Sequence, residues 1–351
     1  MKTKIRKIDS KNPQKEIIEE AAAVLRAGGL VAFPTETVYG LGGNALDAKA
    51  SEKIYAAKGR PSDNPLIVHI ARMEDLEKIV LEVPEKAKIL AAAYWPGPLT
   101  MILPKSAAVP YETTGGLESV AVRYPSHPVA RDLILASGGF IAAPSANTSG
   151  RPSPTTAAHV EEDLTGAVDM ILDGGQVGIG IESTIVDFTE DVPTVLRPGY
   201  ISLEMLREQL GEVRMDRGLL KNDGSQHPKA PGMKYRHYAP KAELTIVEGK
   251  TDQVVNYINE RAREAAGRGK QIGIIGTSET VPYYPKGLVR CIGSREDEAS
   301  IALHLYEVLR DFDQYDVESI YSEAFDTPKM GQAIMNRLLK AAGHRVIRVE
   351  E

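Results

Sequence analysis

Near the start of the chain Ile17, Ile18, Ala21, Val24 and Leu25 recur at helical spacing, and Gly28-Gly29 closes the helix they form. The apolar run Leu30–Phe33 reads as a strand that delivers the polar loop Pro34–Gly40. Further short apolar runs predict strands at Leu66–Ile70, Leu99–Leu103, Val120–Arg123, Phe140–Ala143, Asp169–Leu172 and Thr184–Phe188. Helical patterns alternate with many of them, around residues 51–57, 85–93, 127–136 and 202–209. This alternation predicts an α/β domain with some α+β character, built on an open twisted sheet.

The texture changes between residues 214 and 241. Arg214, Arg217, Lys221, Lys229, Lys234, Arg236 and Lys241 outnumber the acids there, while Gly224, Pro228, Pro231, Gly232 and Pro240 break any regular period. Residues 214–241 therefore read as a basic linker between a domain at 1–213 and another at 242–351. In the latter, strands are predicted at Leu244–Val247, Ile272–Ile275, Leu288–Ile292, Ser319–Tyr321 and Val346–Val349. Helices are predicted at 251–266, 297–312 and 331–342; Ile301, Leu305, Val308, Leu309 and Phe312 form one apolar stripe. Such a pattern predicts a smaller, doubly wound, Rossmann-like parallel sheet.

Length agrees, because 351 residues exceed what one core usually holds. An apolar content of 42% with 26% charged residues is that of a soluble globular protein. A net charge of −6 argues against a surface that coats nucleic acid, although it permits a local basic cleft. The single cysteine, Cys291, excludes an intrachain disulfide and suits a reducing compartment. Its neighbours Leu288, Val289 and Ile292 predict a buried structural thiol. No apolar run approaches the ~18 residues of a membrane span and the N-terminus lacks a signal-peptide core, so the expectation is a cytoplasmic protein with no membrane partner.

Common nucleotide and hydrolase signatures are missing. There is no G-x-x-x-x-G-K-[ST], Gly40–Ala45 does not complete G-x-G-x-x-G, and no serine sits in a G-x-S-x-G elbow. The histidines are scattered and suggest no metal cluster. The turn Gly273–Ser278 has two readings, a phosphate loop or, more commonly, a corner between strand and helix. The segment Lys58-Gly59-Arg60-Pro61-Ser62-Asp63-Asn64-Pro65-Leu66 says more. In an extended stretch residues two apart share a face, so Lys58 and Arg60 would grip one polyanion, with Ser62 and Asn64 as neutral partners. Five more polar loops stand at predicted strand ends: Pro34–Gly42, Ser119–Arg123, Ala143–Thr155, Glu182–Thr184 and Leu196–Gly199. Each alone is ordinary turn chemistry. Together, with Lys58, Arg60, Arg123 and Arg197, they predict an anion-binding cleft lined by hydroxyls.

Several of these segments carry a resemblance. Phe33–Gly42, Lys58–Pro61, Trp95-Pro96-Gly97-Pro98-Leu99-Thr100, Ala143–Asn147 and Leu196–Gly199 resemble, in order and spacing, the threonylcarbamoyl-AMP synthase (YrdC-domain) family. The linker segment Pro231–Pro240 resembles the family's longer, two-domain form. The resemblance implies a nucleotidyltransferase that converts L-threonine, bicarbonate and ATP to threonylcarbamoyl-AMP and pyrophosphate, with Mg2+ accompanying ATP. The product would pass to threonylcarbamoyl-transfer machinery for modification of tRNA, so that tRNA is an indirect partner. It also implies site residues: Lys58 and Arg60 as catalytic phosphate clamps, with Asn64, Ser119, Ser145, Asn147, Ser153, Arg197 and Tyr235 as further ATP contacts. Thr37, His69, Arg123, Ala143 and Ser183 would form the threonine pocket. Tyr235 would make the linker an active-site lid.

Two rival readings differ in class. A double-stranded RNA or tRNA-binding module would use the same basic cleft without turnover, but the net acidity and the lack of stacking aromatics in the loops count against it. A larger carbamoyl-transfer maturation factor would carry zinc-finger modules, which one cysteine cannot supply.

Overall fold

A computed structural model describes residues 2–216, 237–325 and 329–349. The chain divides into two compact units, one ending its first run at Ser149 and resuming at Ser153, the other holding Gly150–Pro152 and the chain from the end of the linker onward. Among the described residues no helix is long and apolar enough to cross a membrane.

Among the described residues, eleven strands build the first unit: β1 (Lys4–Lys7), β2 (Val31–Phe33), β3 (Gly40–Asn44), β4 (Ile67–His69), β5 (Leu99–Pro104), β6 (Ser119–Arg123), β7 (Ile141–Ala142), β8 (Met170–Asp173), β9 (Thr184–Asp187), β10 (Thr194–Arg197) and β11 (Arg214–Met215). They form one mixed sheet in the order β1-β8-β2-β3-β7-β4-β6-β5-β9-β10-β11. Both faces are covered. Ala32, Leu41, Val68, Met101 and Val122 face one core, which includes Ile54 and Leu90. Val31, Phe33 and Ile141 face the other, against Ala21, Leu25, Val129 and Leu133 of the helices Lys15–Arg26 and Pro128–Ala136. Burial on both sides explains why the strands read as short apolar runs rather than alternating ones.

Strand β3 departs from expectation, since residues through Gly42 read as loop. Glycines weaken a strand unless close packing requires them. Here it does: a Cβ on Gly42 would lie 2.8 Å from Phe33 and 2.9 Å from Ile141. Strands β1, β10 and β11 also carried no clear apolar signal. β1 and β11 form the two ends of the sheet, where little burial is demanded of them.

The second unit is the expected doubly wound sheet. Strands β12 (Glu243–Glu248), β13 (Gly273–Gly276), β14 (Leu288–Cys291), β15 (Ser319–Glu323) and β16 (Val346–Arg348) are all parallel, in the order β14-β13-β15-β12-β16. Helices Thr251–Gly267, Glu298–Asp311 and Gly331–Ala341 accompany them. Arg310, buried on the second of these, donates from Nε and Nη2 to the Pro152 carbonyl at 3.1 and 2.6 Å. Cys291 is a correction. It is exposed, because β14 is an edge strand and leaves its last residue open. The Gly273–Ser278 turn closes a corner: the Thr277 amide donates to Thr280 Oγ1 at 2.9 Å, and a Cβ on Gly276 would meet Tyr284 at 3.0 Å and Glu323 at 3.2 Å.

The glycine at the centre of β3 provides a test. Gly42→Ala is expected to cost about 1–3 kcal/mol through overpacking against Phe33 and Ile141. Thermal unfolding should show this as a drop of several degrees in Tm, and an unchanged Tm would refute the packing argument.

Candidate active site

Strand register carries a row of polar side chains across neighbouring strands in the interior of the first sheet. His69 of β4 pairs with Arg123 of β6, which pairs with Thr100 of β5. Thr100 pairs with Ile185 of β9, and Ile185 with Arg197 of β10. Ser183 stands two residues before Ile185 and bonds on both sides: its hydroxyl is 2.8 Å from Thr100 Oγ1 and accepts from Arg197 Nη2 at 3.1 Å. Arg197 Nε also donates to the Ser183 carbonyl at 3.1 Å.

Arg123 is 4% exposed. Its Nη1 donates to Thr37 Oγ1 at 2.9 Å, and Thr37 Oγ1 lies 2.9 Å from Thr35 Oγ1. Thr35 gives its proton to the Val38 carbonyl at 2.7 Å, so Thr37 must be the donor to Thr35. Arg123 Nη2 also forms an ion pair with Glu36 Oε1 at 2.8 Å, out of alignment for a hydrogen bond. Burial and the Arg123 charge hold His69 neutral, with its pKa depressed to about 3, while its Nδ1 lies 3.1 Å from the Ile67 carbonyl.

The loops above this row are tied to one another. The Ile179 and Gly180 amides donate to the carbonyls of Glu36 and Thr37 at 2.9 and 3.0 Å. Ser153 donates to Glu182 at 2.6 Å, and both are buried. Gly199 passes so close beneath Glu182–Thr184 that a Cβ there would lie 2.5 Å from the Thr184 amide nitrogen. The Ala143 amide donates to Ile67 at 2.9 Å, the Leu41 amide to Pro144 at 2.8 Å, and the Ala146 amide to Tyr39 at 2.8 Å.

Lys58 differs from the geometry expected of it. It is the last residue of the helix Ala48–Lys58, and Gly59 caps that helix in the left-handed region at φ 59°. Lys58 and Arg60 therefore do not share the face of an extended segment. The buried Lys58 ammonium donates to the carbonyls of Ser145 and Asn147, and the Lys58 carbonyl accepts from the Ser149 amide at 2.8 Å. Ser145 donates to Asn147 Oδ1 at 2.5 Å. Arg60 folds over its own loop, reaching the carbonyls of Asn64 at 3.2 Å and Pro65 at 3.0 Å. Asn64 Oδ1 is buried and accepts no hydrogen bond from the described residues.

Side-chain contacts thus join Thr37 to Arg123 and Ser183 to Arg197, the pairing of Thr100 with Arg123 sets the two groups side by side, and His69 lies beside Arg123. Lys58, Ser145 and Asn147 form a second cluster. Ser119 stands at the far end of β6 from Arg123, four residues or about 13 Å along the strand. Tyr235 lies outside the described residues. Sequence reasoning passed over Glu36 and Thr100 as site residues, although both lie inside segments it singled out. An acid among anion-binding groups contradicts simple charge logic, and a threonine opening a strand looks like ordinary β propensity.

Comparison with known proteins places the chain. One family model, described as telomere recombination (Sua5/YciO/YrdC), matches residues 23–199. Another, described as the C-terminal domain of threonylcarbamoyl-AMP synthase, matches residues 201–343. The chain belongs to the threonylcarbamoyl-AMP synthase family. It is 49% identical over 340 residues to the threonylcarbamoyl-AMP synthase of Pyrococcus abyssi, covering 95% of this chain and 98% of that one. The Bacillus subtilis synthase is also 49% identical, over 342 residues, covering 97% of this chain and 96% of its own. The crystal structure of P. abyssi Sua5 complexed with L-threonine superposes with a TM-score of 0.94 at 47% identity, covering 99% of this chain and all of that one. Membership of the synthase family and the two-part α/β architecture, both expected from the sequence, therefore hold.

The buried histidine of this synthase-family site predicts a pH response. His69 titrates near 6.5 when unfolded and near 3 when folded, so only the unfolded chain takes up its proton between those values. Its contribution to stability is complete above pH 6.5 and is lost as pH falls toward 3. From pH 7 to pH 5 that loss should be about 2 kcal/mol. His127, whose pKa burial also lowers, adds in the same direction. Denaturant titrations at the two pH values should show the loss, and His69→Gln should reduce it; equal slopes in both proteins would exclude His69 as the cause.

Proposed function

We propose that this chain synthesises threonylcarbamoyl-AMP from L-threonine, bicarbonate and ATP, releasing pyrophosphate, as a cytoplasmic step toward threonylcarbamoyladenosine in tRNA. The observation that carries this reading is the near-complete match, over both units, to a Sua5 structure complexed with L-threonine. The buried Arg123, aimed at the site edge between Thr37 and His69, supports an amino-acid pocket there.

In this reading Arg123 pairs with the threonine carboxylate. Thr37, Ser183, neutral His69 and the Ala143 backbone surround the rest of the amino acid, so that a neutral imidazole meets the substrate hydroxyl. The threonine amine attacks bicarbonate to form a carbamate and release water. A carbamate oxygen then attacks the α-phosphorus of ATP, and pyrophosphate leaves. Negative charge grows on the α-phosphate and on the leaving group. Fixed positive charge is the natural stabiliser. Arg60 and Arg197 supply it directly, while Lys58 supplies it from behind the Ser145–Asn147 loop, whose carbonyls it holds. Asn64, Ser119, Ser145, Asn147, Ser153 and Tyr235 complete the nucleotide contacts. The interlocked loops keep water from a labile carbamate.

Among the described residues no group of three or more His, Cys, Asp or Glu side chains is arranged to hold a metal. That fits a magnesium ion bound mainly by the triphosphate, where it would neutralise phosphate charge. The chemistry needs no side-chain nucleophile.

Incubation with L-threonine, bicarbonate and MgATP should yield threonylcarbamoyl-AMP and pyrophosphate, identified by mass spectrometry, with none formed when threonine is omitted. Arg60→Ala and Lys58→Ala should each lower the rate by about 100-fold or more. Absence of the adenylate product from the intact protein would refute the assignment, and near-wild-type rates in both variants would refute the phosphate clamp.

A further inference from the structure

We propose that Glu36 recognises the α-ammonium of the amino-acid substrate, so that Glu36 and Arg123 together form a clamp for a zwitterion. The inference rests on the amino-acid pocket read above at Arg123. The backbone of Glu36 is held in place. Its carbonyl accepts from the Ile179 amide at 2.9 Å, while Thr35 and Thr37 on either side are fixed by their own hydrogen bonds. The side chain is only 14% exposed, yet neither carboxylate oxygen accepts a hydrogen bond from the described residues. A buried carboxylate without donors is costly and signals a partner that supplies them.

The neighbouring charges narrow the identity of that partner. Arg123 Nη2 lies 2.8 Å from Glu36 Oε1, but without the aligned fork expected of an arginine and carboxylate joined only for stability. Arg123 gives its aligned bond to the uncharged Thr37 instead. His127 lies near enough to feel the charge of Glu36, while burial favours its neutral form. The site therefore presents one cation and one anion side by side, with the anion lacking donors. A free amino acid carries the matching arrangement, a carboxylate and an ammonium separated by one carbon. With the carboxylate on Arg123, the ammonium falls beside Glu36 and brings three N–H donors to its open oxygens. That contact would also fix the nitrogen, which meets bicarbonate only after it has given up a proton.

Binding measurements separate this proposal from the reading beneath it. L-Threonine and its 2-hydroxy analogue, in which a hydroxyl replaces the ammonium, are titrated calorimetrically into wild type and Glu36→Gln. The wild type should bind threonine at least about tenfold more tightly than the analogue. Glu36→Gln should weaken threonine by about tenfold or more, leave the analogue unchanged, and so erase the preference. If wild type binds threonine and Glu36→Gln binds it equally well, the role of Glu36 is overturned while the amino-acid pocket stands. If wild type binds no threonine, the pocket itself fails. A variant that weakens both ligands equally would also overturn the proposal, because it would show general damage. Should Glu36→Gln not fold, equal affinity of wild type for the two ligands would overturn it alone.

Discussion

The architecture of the first unit turns on one buried guanidinium. Arg123 ends an interior strand of an eleven-stranded sheet with almost no exposure to solvent. Leaving such a charge without partners would cost several kcal/mol, so the surrounding chain has to supply them. Thr37 and Glu36 do so from a loop that the Ile179–Gly180 turn holds down. Burial, reinforced by the same charge, keeps a proton off His69 on the neighbouring strand. Loop position and charge balance therefore depend on one residue at one place, and histidine protonation depends on it in part.

Much of this organisation was legible in the sequence because the signals were local. Short apolar runs marked strands buried on both faces, and the helical stripe at Ile301–Phe312 marked the helix now seen at Glu298–Asp311. The polar loops at strand ends were likewise legible, and hydrogen bonds tie several of them together. What stayed hidden depended on tertiary neighbours. β3 looks like a glycine loop until Phe33 and Ile141 are known to lie against it. Cys291 looks buried by its neighbours in sequence, yet the position of β14 at the sheet edge exposes it.

Charge was hardest to read. The spacing of Lys58 and Arg60 suggested a shared face, but the helix runs to Lys58 and turns through a left-handed glycine before Arg60 begins. Neither is a bare cation waiting for a ligand: Lys58 holds a distant loop, and Arg60 holds its own. Glu36 was obscured for the opposite reason, because an acid among cations matters only once its orientation is known.

Lys58 also has a mechanical meaning. Its ammonium and its carbonyl clasp two points of the loop after β7, at Ser145–Asn147 and at Ser149. Some 87 residues of chain separate Lys58 from Ser145. The helix Ala48–Lys58 and this loop are nevertheless tied together through one residue, by its side chain and its backbone carbonyl. Any swing of the loop over a bound ligand would have to carry the helix along or undo the end of it. Motion in this enzyme family member should therefore be sought in how whole pieces pivot, rather than in the loop flexing alone.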